Sequence, residues 1–247
     1  MPDRPAHALA AEAIGTFALC FIGILAINAG VIAGQPEGVV SLTTVALAHG
    51  LTIAVMVAAL GAISGGHFNP AVTFGFVVTR RMDPVRGALY WAAQIGGAVA
   101  ASLLLRALFG SGEPVAAGTP VLAPGVSAGA GIAVELVTTF FLVLVVFGTA
   151  VDERAPKSVF PFAIGLTVAL DIMAIGPITG AAMNPARVLG PALASGMWDD
   201  HLVYWTGPLL GAAAAAWLWH GFLLARAPSP ATATRGGPAP EEQRHVP

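Results

Sequence analysis

Six apolar runs, each roughly the length needed to cross a bilayer, dominate the pattern of hydrophobic and polar positions. They fall at Ala8–Ala33, Leu42–Leu60, Val85–Leu105, Ala128–Val151, Val159–Ile175 and His201–Ala225. Two further apolar stretches, Asn69–Thr79 and Asn184–Ala194, are too short to span and follow the second and fifth runs. Both open on Asn-Pro-Ala, and a Pro directly after an Asn marks the start of a helix. Short helices at membrane depth are tolerated only where they are buried in protein or line a cavity. The pattern therefore predicts an all-α membrane protein of six transmembrane helices and two re-entrant half-helices.

The two halves repeat. Glu12 precedes Thr16-Phe17 as Glu135 precedes Thr139-Phe140, and Gly65-Gly-His-Phe-Asn-Pro-Ala-Val72 matches Gly180-Ala-Ala-Met-Asn-Pro-Ala-Arg187. Glu12 lies 57 residues before Asn69 and Glu135 lies 49 before Asn184. An odd number of spans per half places the halves in opposite orientation, the inverted-repeat plan in which half-helix N-termini meet near the midplane. The expected organisation is an N-terminal segment at 1–7, a channel-like domain at 8–225 with repeats at about 8–107 and 128–225, and a disordered tail at 226–247, rich in Pro, Ala, Thr and Gly.

Composition supports the membrane reading. The 247 residues are 56% apolar and 10% charged, against about 25% charged in soluble domains. The net charge of −2 leaves no footprint for nucleic acid, and Cys20 alone permits neither an internal disulfide nor a cysteine metal site. No nucleophile–base pair or metal-spaced cluster points to an enzyme or a cofactor. Arg80, Arg81, Arg86, Arg154, Lys157, Arg226, Arg235 and Arg244 fall on one side of the expected topology, with Arg106 the exception. The loops Gly34–Ser41 and Gly110–Ser127 hold no Lys or Arg, so the bias puts both termini in the cytoplasm. Loop Gly110–Ser127 is expected to drape over the outer face.

Paired Asn-Pro-Ala boxes, Glu-x-x-x-Thr-Phe repeats and six spans in inverted halves resemble the aquaporin, or major intrinsic protein, family over nearly the whole chain. The resemblance implies a passive pore in each protomer of a homotetramer in the cell membrane, without a cofactor. The pore asparagines would be those of Asn69-Pro70-Ala71 and Asn184-Pro185-Ala186. The family's four filter positions fall at His49, Ile172, Ala181 and Arg187, a set similar to that of plant tonoplast intrinsic proteins, which are linked to water, ammonia and other small neutral solutes. Val188, Ala192 and Tyr204-Trp205 stand where glycerol facilitators commonly differ, and resemble water channels instead.

Within this frame each residue carries a physical expectation. The Asn69 and Asn184 amides donate to a passing oxygen and interrupt a proton wire, with two positive helix ends adding a barrier to cations; the blander alternative for each is a helix cap. Arg187 repels cations. His49 is either a filter residue or a satisfied core histidine, and Ile172 with Ala181 leaves one wall apolar. Glu12 and Glu135 are expected to hold the loops by backbone N–H groups, turning carbonyls of Gly65, Gly66, His67, Phe68, Gly180, Ala181 and Ala182 to the pore. Asp171 is expected to be a hydrogen-bonded buried acid beside the filter rather than a pore-lining one. His67 either touches the pore or packs against its loop. Two alternatives stay open: a wider glycerol or urea channel, and a proton-coupled transporter, for which Glu12, Glu135 and Asp171 are the candidate acids. Trp91, Trp198, Trp205, Trp217 and Trp219 read as interface anchors.

Overall fold

The computed structural model describes residues 5–33, 40–110 and 113–223, and among them every regular element is helical. In chain order these are α1 Pro5–Ile32, α2 Leu42–Ser64, α3 Pro70–Val78, α4 Pro84–Phe109, α5 Glu113–Ala117, α6 Ala128–Val146, α7 Phe160–Thr179, α8 Pro185–Ser195 and α9 Val203–Leu218. A π-helical turn extends α6 over Phe147–Val151 and another extends α9 over Trp219–Leu223. The tail expected at 226–247, with Arg226, Arg235 and Arg244, lies outside the described residues, as do positions 1–4 and 34–39.

Helix starts follow from local chemistry. Ser41, Asp83 and Ser127 accept hydrogen bonds from backbone N–H groups in the first turns of α2, α4 and α6, satisfying donors that would otherwise be orphaned. Five helices, α1, α2, α4, α6 and α7, are long and apolar enough to cross a membrane. The sixth span is α9 with its π-helical extension. Helices α3 and α8 are the two half-helices, and they begin one residue inside the predicted Asn69 and Asn184.

Packing reproduces the repeat. Helix α1 packs on α4 as α6 packs on α9, while each half-helix lies against the third span of the opposite half, α3 on α9 and α8 on α4. The halves meet where α2 crosses α7. There Gly50 and Gly165 face one another so closely that a Cβ on either would collide with the other's carbonyl oxygen. Small residues allow such close approach between helices in lipid, where association depends on packing rather than on apolar burial. Large apolar side chains such as Val55, Leu170 and Phe222 point outward, 60%, 64% and 80% exposed.

Candidate functional site

Both asparagines act as the caps that start their helices, and each also reaches across the repeat. Asn69 Oδ1 accepts from the Ala71 N–H at 2.8 Å, and its Nδ2 donates to the Met183 carbonyl at 2.8 Å. Asn184 Oδ1 accepts from Ala186 and Arg187 N–H groups, and its Nδ2 donates to the Phe68 carbonyl at 2.9 Å. A side-chain amide carries two N–H donors, so one remains on each asparagine once the cross-repeat bond is made. Pro70, Ala71, Pro185 and Ala186 are buried in the first turns of α3 and α8.

The backbone leading into each box is strained in the same way. Gly65 and Gly180 are left-handed at φ 97° and 76°, Gly66 and Ala181 at 66° and 49°, and Phe68 and Met183 at 47° and 50°. Side-chain-bearing residues in this region cost free energy, and a buried carboxylate in each half offsets that cost. Glu12 accepts from the N–H groups of His67 and Phe68, from Ser64 Oγ and from Gln94 Nε2, at 2.7–3.0 Å. Glu135 accepts from the N–H groups of Ala182 and Met183 and from Thr179 Oγ1, at 2.7–2.9 Å. Tyr90 and Tyr204 donate to the carbonyls of Ser64 and Thr179, both at 2.8 Å. No bracing role was expected from the sequence for Ser64, Thr179, Gln94, Tyr90 or Tyr204. The signal was present: Tyr90-Trp91 recurs as Tyr204-Trp205, nearly the same interval apart as the two boxes.

Two cavities meet at the site. A narrow one of about 50 Å³ includes Asn69, Asn184, Gly65, Gly66, His67 and Ala182 in its lining, enough for roughly three waters. A wider one of about 430 Å³ takes in Gly180 and the 117–124 segment. Ala181 borders the narrow cavity, and His49, Ile172 and Arg187 border both. His49 Nδ1 lies 2.8 Å from the Val45 carbonyl. A carbonyl only accepts, so Nδ1 carries a proton and, in the neutral ring, Nε2 is a bare acceptor. Arg187, 6% exposed, donates from Nη1 to the Gly118 carbonyl at 3.0 Å, while its Nε has no partner within the protein. His67 does both things open to it, lining the narrow cavity while its ring stacks on Phe76 and Nδ1 meets Thr73 Oγ1 at 3.0 Å.

Several placements differ from the sequence expectation. The Phe68 carbonyl accepts from Asn184, and Phe68 is fully buried outside either cavity lining, because its ring fills the space over Gly15. Asp171 is 7% exposed, but its Oδ2 lacks the hydrogen bond expected of it. Trp91 turns inward and donates to the Pro70 carbonyl at 2.9 Å, buttressing α3 rather than facing only the interface. The segment after α5 does more than drape: besides Gly118 on Arg187, Ala123 N–H donates to the Ile178 carbonyl at 2.9 Å. Arg106, the exception to the charge bias, donates to the Ala194 carbonyl at 2.7 Å in the last turn of α8, where a cation complements the helix dipole.

Known proteins show the same plan. Aquaporin TIP4-4 of Zea mays is 47% identical over 225 residues, covering 89% of this chain and 88% of the relative. Probable aquaporin TIP3-2 of Oryza sativa subsp. japonica is 48% identical over 193 residues, covering 78% and 71%. The aquaglyceroporin structure from Plasmodium falciparum superposes with a TM-score of 0.76 over 90% of this chain and 98% of its own, at 24% identity, a likeness that shows the fold. The family model described as Major intrinsic protein matches residues 4–219. With a buried asparagine pair, two half-helices and six spans in place, the chain belongs to the major intrinsic protein family and is a multi-pass membrane channel.

Proposed function

We propose that the channel conducts water and small neutral solutes, ammonia among them, and excludes protons and ions. The observation that carries this reading is that His49, Ile172 and Arg187 are the residues common to the two cavities. Everything passing between the vestibule and the narrow bore meets them, with Ala181 beside them. Arg187 supplies donors and a fixed positive charge that repels cations, and the His49 ring narrows the passage opposite Ile172. Ile172 and Ala181 add no polar group, so a solute less polar than water loses little on entry. Deeper in, a water accepting from the remaining N–H groups of Asn69 and Asn184 turns its own hydrogens away from both. That breaks the chain of donors a proton would follow, and the facing starts of α3 and α8 add an electrostatic barrier.

Glu12 and Glu135 serve as loop anchors in this reading, since their oxygens are occupied by loop N–H and side-chain donors. A transporter that carried protons on these acids would have to break those bonds at each cycle. The functional unit is the domain at 8–225, assembled as a homotetramer in the cell membrane with both termini cytoplasmic, and it performs no covalent chemistry. Stopped-flow measurements of water, ammonia, urea and glycerol on one proteoliposome preparation test the reading. Fast, proton-gradient-independent water and ammonia flux with slow glycerol entry is expected. Ammonia entry no faster than in empty liposomes would sink the ammonia claim, and dependence on a proton gradient would establish the transporter instead.

A further inference from the structure

We propose that Gly23 of α1 sets the width of the filter, by giving the His49 imidazole a place to lie back from the pore. The inference rests on the filter reading above and extends it to a residue outside the cavity linings. Gly23 is buried, and a Cβ built on it would stand 2.7 and 2.8 Å from Cδ2 and Cε1 of His49 and closer still to Nε2. Carbon atoms pack at about 3.5–4.0 Å, so any side chain at Gly23 would displace the ring by about 1 Å. The ring is a rigid plane on a helix, not the loose end of a flexible chain, and it cannot absorb the shift by bending. Its Nδ1–H is tied to the Val45 carbonyl one turn back on α2, so the free direction is away from α1, into the lumen shared with Ile172 and Arg187. A displacement of that size is a sizeable part of the ~2.8 Å breadth of a water molecule. Gly23 thereby contributes to selectivity without touching a solute.

The test compares wild type, Gly23→Ala, His49→Ala and the double variant in proteoliposomes, reading water and ammonia permeability together. Alanine suits the helical backbone there. Gly23→Ala is expected to lower the ammonia-to-water ratio about tenfold, or to close the channel to both, and the double variant is expected to match His49→Ala alone. A wild-type ratio in Gly23→Ala overturns the inference, as does a loss that persists in the double variant. If Gly23→Ala fails to fold, recovery of folded yield in the double variant identifies the same collision, and failure of both rejects it. His49→Ala with unaltered selectivity would remove the filter reading itself. A change in His49→Ala with none in Gly23→Ala removes this inference alone.

Discussion

Asn184 donates to the carbonyl of Phe68 at 2.9 Å, joining two residues 116 positions apart in opposite halves of the chain. Its counterpart, Asn69 to Met183 at 2.8 Å, runs the other way. This pair of bonds locks two half-helix starts against each other and spends one N–H of each amide on structure. Replacing Asn184 with Asp removes the donor and sets a negative charge beside the positive helix ends. Cation exclusion should weaken, and a pH-sensitive dye trapped in proteoliposomes should report faster proton entry than with wild type.

The loops around those asparagines hold left-handed residues because Glu12 and Glu135 bind their N–H groups. Glu12→Gln replaces an acceptor oxygen with an NH₂ that faces donors. A loss of about 2–4 kcal/mol in stability is expected for breaking such a buried, charge-assisted network, with water permeability falling alongside. Thermal unfolding in detergent and stopped-flow light scattering read the two effects, and an unshifted melting curve would contradict the anchoring role.

Arg187, which borders both cavities, corresponds by the repeat to Val72, an apolar position in the other half. Arg187→Val is therefore expected to fold, while admitting cations and raising glycerol entry severalfold. Loss of the bond to the Gly118 carbonyl should also free the vestibule segment, read as faster hydrogen exchange at residues 118–123.

Cys20 of α1 is 1% exposed and packs in a cluster with Ala98 and Ala101 of α4 and Ala186 of α8, and Ala181 borders the narrow cavity. Mercurials should leave wild-type water flux nearly unchanged. Ala181→Cys should confer block that a thiol reductant reverses. Strong block of wild type abolished by Cys20→Ser would show that the buried thiol is reached.

Outside the spans, Asp152 closes the turn after α6 by accepting from the Arg154 Nε at 2.9 Å. Hydrogen bonds from that guanidinium hold its carboxyl down from 3.8 to about 2. A depressed folded value means the contribution is present above the ordinary carboxylate range and is lost as pH falls from about 4 through about 2. The difference in melting temperature between wild type and Asp152→Asn should be constant from neutral pH to about 5 and vanish near pH 2.

Much of the architecture could be read from the chain because lipid imposes strict demands. Spans must be long and apolar, and a short helix at depth must be buried in protein or line a cavity, so six runs and two boxes define the plan. The starts of α3 and α8, Glu12 and Glu135, and the grouping of His49, Ile172, Ala181 and Arg187 all follow from spacing, repeat or resemblance. The tertiary structure decided which atoms are already committed. The carbonyl of Phe68 went to Asn184, the indole of Trp91 to Pro70, and the guanidinium of Arg187 to Gly118, a residue in a loop with no motif. Each of these is a bond between distant positions, fixed by how helices cross rather than by any local pattern. The same holds for the emptiness at Gly23, which has meaning only once His49 is set against it.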